Sequence, residues 1–551
     1  MGTQLLALYH ERVKKEWKIA FLSTFIIGLL VHIYKFTNNL PNHDSLFNYY
    51  SSQNMVGLGR WFLSIACSFS SYFDLPWVIG LFSVVLIALT AVVIAELFEM
   101  KNPVLIVICG GLLVSFPAIT ETFFFEFTAD GYMLAMLLAA VSVLLTRIGN
   151  EKHRILCAVL SGACICLSCG IYQAYVSFAL VLALGYFIFE LLEDRFDKKA
   201  YRRWILTQIV VYIAAMAAYL VIWKVCMAVE GYSISTYEGI SDLGNISPFT
   251  LLSAAYQAIK SFILFFVEWN FLKHGLTVYS GLNCLFLIFA AFVVVYAIFK
   301  SRIFKKGVHL LLLLACGVAI PFAVFIWTFA SDGSTSYYTR MEQSICVCYI
   351  LIAVLCERWI KPKLSNVMAL LLSIIILNNG ITANKFYYYM NRTYELTYAT
   401  VLEMQTRIHL LDDGTIKYIA FIGSSDNGSF DEDFYVEASG LGSMGVLKSV
   451  NNNLAYSKSY IILFMAQYTD FQLTYYIINE DAEVPEITFG GTSPVPNGWT
   501  LEFPLADSET RDELEASDEV AEMGVWPASD SVQVIGDTIV IKLSEVETEE
   551  E

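Results

Sequence analysis

The sequence predicts an α-helical polytopic membrane protein of about eleven spans, N-terminus inside and C-terminus outside, ending in a small extracytoplasmic α/β domain. Three observations predict it. The 551 residues are 57% hydrophobic and only 15% charged, with a mean hydropathy of +0.59, which is too apolar for a soluble globular chain. Apolar runs near the length of a bilayer core recur through the first two-thirds of the chain. The net charge of −17 is uneven, because from Lys385 onward there are 30 Asp and Glu against 8 Lys and Arg. One chain therefore serves two compartments. All twelve cysteines, Cys67 to Cys356, precede that acidic part, which excludes a disulfide framework there.

The first run, 19–36, follows Arg12, Lys14, Lys15 and Lys18. It is longer than a signal-peptide core and lacks a small-residue cleavage site, so it reads as a retained helix with a cytoplasmic basic flank. Ten more runs follow at 77–98, 103–119, 132–145, 155–171, 175–192, 204–229, 282–299, 309–329, 344–355 and 364–381. An odd number puts the ends on opposite faces, and the loop charges agree. Lys101, then Arg147, Lys152 and Arg154, then Arg195 to Arg203, then Lys300 to Lys306, then Arg358 to Lys363 fall in alternate loops. The other loops, 38–76 and 230–281 above all, are rich in aromatics and amides. Within them 55–69 and 251–271 suit helices lying on or dipping into the outer interface.

The expected organisation is a transmembrane domain over 1–384, a linking helix over 385–411 and an α/β domain over 412–551. In the last, 418–423 reads as a buried strand, 471–478 as a strand or short helix, and 532–543 as a hairpin around Gly536 and Asp537. Cys164, Cys166 and Cys169 have a metal-like spacing, but their apolar neighbours favour helix packing over a metal site.

Chemistry concentrates in the stretch NHDSLFNYYSSQNMVGLGRW, residues 42–61, just past the first helix. No phosphate-cradling glycine loop, Ser/His/Asp elbow or HExxH signature is present, and nucleotides are not supplied outside the cytoplasm. An outward-facing enzyme would need a donor activated in another way. Asp44 is placed to deprotonate an acceptor hydroxyl at the lipid–water boundary, or else simply caps a short interfacial helix. Arg60 suits a phosphate, or snorkels. In ETFFFEFTADGY, Glu121, Glu126 and Asp130 could bind sugar hydroxyls, aid the base or hold a divalent cation, whereas loop solvation accounts for Glu121, and Asp130, beside Gly131 at a helix start, could equally be an N-cap; Asp130 and Glu126 are favoured. Tyr172 and Gln173 interrupt apolar helices and read as sugar contacts or interhelical hydrogen bonds. Trp269, Lys273 and His274 in one later loop, and Arg340 beside Tyr337 and Tyr338 in another, offer cations to a lipid-phosphate leaving group or to lipid headgroups. His43 joins the polar groups beside Asp44.

With NHDSLFNYY and GRWF, FEFTADGY and GIYQAYVSF in view, residues 15–385 resemble the bacterial Gtr type II glucosyltransferase family of the GT-C architectural class. The resemblance implies an inverting transfer of a hexose, glucose by likeness, from a polyprenyl-phosphate donor to a cell-surface glycan on the outer face of the bacterial cytoplasmic membrane. By that likeness Asp44 is the catalytic base, with Asp130 or Glu126 as partner carboxylate, since a pair of adjacent acids common in relatives is here a single one. Arg60 becomes a donor-site residue. The expected partners are the lipid-linked sugar, the glycan and the bilayer, with no nucleic acid. No tightly bound cofactor is implied, though a divalent metal is compatible. The alternative is a flippase of lipid-linked saccharides, which would place ionisable groups near the bilayer midplane in repeated halves; here they gather at one face.

Overall fold

In a computed structural model the chain is described over residues 13–48, 52–195, 198–231, 248–267, 278–329 and 338–423, and in the C-terminal third over parts of 461–469, four short strands and 513–545. Its helices run in the order α1 Lys15–Thr37, α2 His43–Asn48, α3 Leu63–Cys67, α4 Pro76–Leu97, α5 Pro103–Ser115, α6 Pro117–Thr122, α7 Ala129–Glu151 and α8 Arg154–Ile171. There follow α9 Tyr175–Glu193, α10 Lys198–Glu230, α11 Pro248–Val267, α12 Val278–Lys300, α13 Gly307–Val324, α14 Cys346–Trp359 and α15 Pro362–Leu411.

Ten helical stretches among the described residues are long and apolar enough to cross a membrane, and this marks the chain as membrane-integral. The difference from the expected eleven has two sources. Pro103–Glu151 counts as one stretch although it is broken into α5, α6 and α7, and α14, with 14 residues, is too short to be counted among the ten although it runs from the Arg340 end of the bundle to the Arg358 end. Conversely Pro248–Val267, expected as an interrupted interfacial stretch, is a continuous helix that meets the length criterion from Phe249.

The break after α5 creates the region of interest. Pro117 pushes Phe116 into the extended conformation (φ −61°, ψ 141°), and having no N–H it leaves the Leu113 carbonyl unpaired within the helix. Gln343 Nε2 donates to that carbonyl at 3.3 Å, and His32 Nε2 meets the Val114 carbonyl at 2.9 Å. The orphaned helix end is thereby satisfied from two other segments, and the chain turns through α6 and a tight 3-10 segment, Phe123–Thr128, before α7 starts. Small residues let α1 lie close to α4 and α5: a Cβ on Gly110 would stand 2.0 Å from Thr24 Oγ1, and one on Gly80 2.2 Å from the Phe36 ring.

The opposite end of the bundle is closed by ion pairs. Glu99, at positive φ just beyond α4, meets Arg147, Arg195 at 3.0 Å and Arg358 at 3.9 Å. Lys14 pairs with Glu96 at 2.7 Å, Lys101 with Glu16 at 2.9 Å, and Lys306 with Asp194. The basic loops of alternate helix pairs thus meet at one end.

The 50-residue helix α15, about 75 Å long at 1.5 Å per residue, carries the chain from the bundle into the C-terminal region. There β1 Tyr418–Ile422, β2 Tyr476–Ile478, β5 Leu505–Ala506, β6 Val532–Ile535 and β7 Thr538–Lys542 form a sheet of order β5-β2-β1-β7-β6. β1 runs parallel to β2 and β7, and β6–β7 is the hairpin, turning at Gly536 with φ +63°. β3 Ile487–Phe489 and β4 Trp499–Leu501 make a separate antiparallel pair. Cys164, Cys166 and Cys169 are free thiols on α8, and the described residues contain no group of three or more His, Cys, Asp or Glu able to hold a metal.

Candidate active site

The short helix α2 begins with its own cap. The Ser45 amide donates to Asn42 Oδ1 at 2.9 Å, and the Asn42 amide donates to Ser45 Oγ at 3.2 Å, a reciprocal cap. Asp44, next to this pair, is therefore not needed as the cap. Asp44 is half-buried, and α2 packs on the Phe123–Thr128 segment.

Glu126 of that segment is buried with Lys35 of α1 in an ion pair of 2.5 Å, each side chain 2% exposed. Lys35 Nζ also donates to the Leu40 carbonyl at 3.1 Å, which ties the end of α1 to the segment leading into α2. The second oxygen of Glu126, Oε1, has no partner among the described residues. Asp74 stands near both Lys35 and Glu126; burial pushes its carboxyl up to about 6 against the pull of Lys35, and its Oδ1 is likewise unpartnered among the described residues. Asp130, buried at the start of α7, accepts from the Gly131 amide at 2.8 Å and lies beside Ser70 and Cys67.

On the neighbouring side, two arginines bracket a tyrosine pair. The rings of Tyr132 and Tyr172 stack with centroids 4.3 Å apart and planes within 7°. Arg60 donates to the Tyr132 hydroxyl at 3.0 Å and lies over the Tyr172 ring at 4.9 Å. Arg340 meets the Tyr172 hydroxyl and sits over the rings of Phe125 at 4.4 Å and Tyr338 at 4.3 Å. The structure thus brings Arg60 and Arg340, 280 residues apart in the numbering, to one aromatic cluster, and Phe125 belongs to the segment on which α2 packs.

Glu121, read from the sequence as a solvated loop acid, is instead buried and accepts from Arg340 twice, from its amide at 2.6 Å and its Nη1 at 3.1 Å. Glu342 is also buried there, and desolvation with Glu121 close by raises its carboxyl well above the usual range. Arg60 has no carboxylate partner among the described residues, and its Nε is buried without an acceptor. Within the cluster Arg340 is thus matched by Glu121, whereas Arg60 is held by a hydroxyl and a ring face alone.

The loop that presents Arg60 is clamped from behind. Gln173 Nε2 donates to the Leu58 carbonyl at 2.7 Å, Tyr219 Oη to the Gly59 carbonyl at 3.1 Å and Trp223 Nε1 to the Val56 carbonyl at 2.7 Å. Gln173 also bonds Tyr219 at 3.1 Å, so its amide is engaged in the interhelical role. Gly59 is required twice over, by φ +79° and because a Cβ there would fall 2.3 Å from Tyr219 Oη.

Trp269, Lys273, His274 and Tyr337 lie outside the described residues, as does the His43 side chain. Lys35, Asp74, Tyr132 and Tyr219 were not singled out from the sequence, and Glu121 was given a different role. Lys35 had a signal, an ionisable residue inside an apolar helix; Tyr132 had only its place in the first turn of α7 and Tyr219 had none.

The family described as Glucosyl transferase GtrII matches residues 33–341, more than half of the chain. The chain belongs to the GtrII glucosyltransferase family. The match takes in Lys35, Asp44, Arg60, Glu121, Glu126, Asp130, Tyr172 and Arg340, which are the residues that form the two clusters above. Membership in a GtrII family of glucosyltransferases makes the chain a glycosyltransferase acting between a sugar donor and an acceptor. No curated protein and no solved structure matches it.

Proposed function

We propose that this GtrII family member is an inverting transferase that moves glucose from a polyprenyl-phosphate donor to a cell-surface glycan on the outer face of the bacterial cytoplasmic membrane. The observation that carries the reading is the arginine pair, Arg60 and Arg340, sharing Tyr172, with Arg60 lacking a carboxylate partner among the described residues, on the flank of the same segment that seats the Asp44 helix. In the proposed reaction the Asp44 carboxylate takes the proton of the acceptor hydroxyl as its oxygen attacks the anomeric carbon. The bond from that carbon to the phosphate oxygen breaks on the opposite face, and the lipid phosphate leaves with the electron pair toward Arg60 and Arg340. Glu126, through its unpartnered oxygen, and Asp130 are assigned to sugar hydroxyls or to the base, and Tyr338, with Lys273, His274, Trp269, Tyr337 and His43, to the donor and acceptor flanks.

Orientation follows from the ion-paired end, where the Lys- and Arg-rich loops meet; placing it in the cytoplasm puts the candidate site and the C-terminal region outside. The same rule keeps both ends of 231–277 on the outer side, so α11, despite its length, is assigned to the interface.

The test supplies reconstituted protein with labelled polyprenyl-phosphate glucose or with a nucleotide-linked glucose. Label should reach the glycan from the lipid donor alone; equal transfer from the nucleotide sugar would overturn the donor assignment. Protease added outside intact cells should cut beyond Leu411, and complete protection would reverse the orientation.

A further inference from the structure

The helix that bears Asp44 is held by more than the membrane bundle. Six residues are too few for a helix to persist alone in water, and α2 packs on two bodies: the Phe123–Thr128 segment on one side, and the C-terminal region on the other. Leu46, fully buried, joins the core made by Val401 and Met404 of α15, Ile419 of β1, and Phe464 and Met465. Gln467 donates its side-chain amide to the Leu46 carbonyl, and β3 runs beside α2. Tyr72, two residues before Asp74, packs on that same core. Positions two apart on a helix point about 200° apart, so a Leu46 seated in the C-terminal core turns Asp44 away from it.

We propose that the C-terminal region is a wall of the candidate active site, and that Leu46 is a positioning residue whose seat in that region's core sets the direction of Asp44. This rests on the assignment of Asp44 under the proposed function. It gives the acidic C-terminal region, all of which lies beyond the span of the family match, a direct part in transfer.

The experiment uses the full chain in lipid bilayers, comparing wild type with Leu46→Ala and Leu46→Met by amide hydrogen exchange over residues 43–48 and by glucose transfer from the lipid donor. Leu46→Ala should speed exchange of that peptide about tenfold or more and lower the maximal transfer rate by a similar factor, with the KM for donor unchanged. Leu46→Met, which refills the seat, should restore both. Gln467→Leu, which removes only the bond to the Leu46 carbonyl, should move both readouts the same way by about threefold, and it serves should Leu46→Ala fail to accumulate. Wild-type exchange in Leu46→Ala or in Gln467→Leu, or faster exchange with undiminished transfer, overturns the proposal. Retained transfer in Asp44→Asn would instead remove Asp44 as base while leaving the exchange result, and hence the seating, intact.

Discussion

The two ends of the helix bundle handle charge in opposite ways. At the end where the basic loops meet, the half-buried arginines find carboxylates and backbone carbonyls, with Glu357 Oε2 the one buried carboxylate oxygen there left unpartnered among the described residues: Arg147 reaches Glu99 and the Leu97 carbonyl at 3.2 Å, and Arg358 the Glu99 carbonyl at 3.0 Å. At the other end the charges are more deeply buried and less completely matched, with Arg60 Nε, Glu126 Oε1, Asp130 Oδ2 and Asp74 Oδ1 unpartnered among the described residues. A folded protein rarely leaves buried polar atoms in this state without a use for them. The first end is fastened by its ion pairs, and the second is the end to which the proposed function assigns the substrates.

The contrast breaks most readily at the arginine pair. Arg60→Ala and Arg340→Ala should each lower transfer about 100- to 1000-fold, since each removes positive charge where the leaving group forms. Arg340→Ala also strands buried Glu121, at a cost of about 3–5 kcal/mol in stability. Adding Glu121→Gln should recover the folding, read by thermal melting, without recovering transfer; recovery of both would make Arg340 merely structural.

Next in size is the clamp behind Arg60. Gly59→Ala forces a Cβ against Tyr219 and Gln173 at a left-handed φ, and a shift of the loop by about 1 Å should reduce transfer about 10- to 100-fold. At the fastened end, Arg147→Ala should cost about 1–2 kcal/mol in stability, seen in the melting temperature. Transfer per folded molecule should stay within about twofold of wild type, and a larger loss would mean that the two ends are coupled.

Asp74 gives the smallest and most specific effect. A free aspartate ionises near about 3.9, whereas this one is pushed up to about 6 by burial. Between those values the folded chain holds the extra proton, so its contribution to stability falls as pH rises from about 4 to about 6 and stays lost above. Asp74→Asn should remove that fall. Its melting temperature should gain on wild type across this window and level off beyond it.

Much of this was legible from hydropathy and charge. Helix positions, the gathering of basic loops at one end, β1 at Tyr418 and the β6–β7 turn at Gly536 follow from patterns of period, charge and turn chemistry that act locally. The convergence of Arg60 and Arg340 on one cluster was expected from residue type, and their shared partner Tyr172 was named for a different role. What escaped was set by contacts distant in sequence. Glu121 looks solvated beside its neighbours and becomes buried only because Arg340 arrives from 219 residues away. Leu46 looks like one apolar residue in a polar stretch, and its core lies beyond residue 400. The helix expected within 251–271 is present, but it starts at Pro248 and is long enough to cross a bilayer, which its interspersed polar residues hid.

The most direct test of the central claim is glucose transfer from polyprenyl-phosphate glucose by Asp44→Asn in bilayers, normalised to folded protein and accompanied by donor binding. The account predicts a loss of about 100- to 10,000-fold in transfer with donor binding preserved through Arg60 and Arg340. Transfer at the wild-type rate would contradict it.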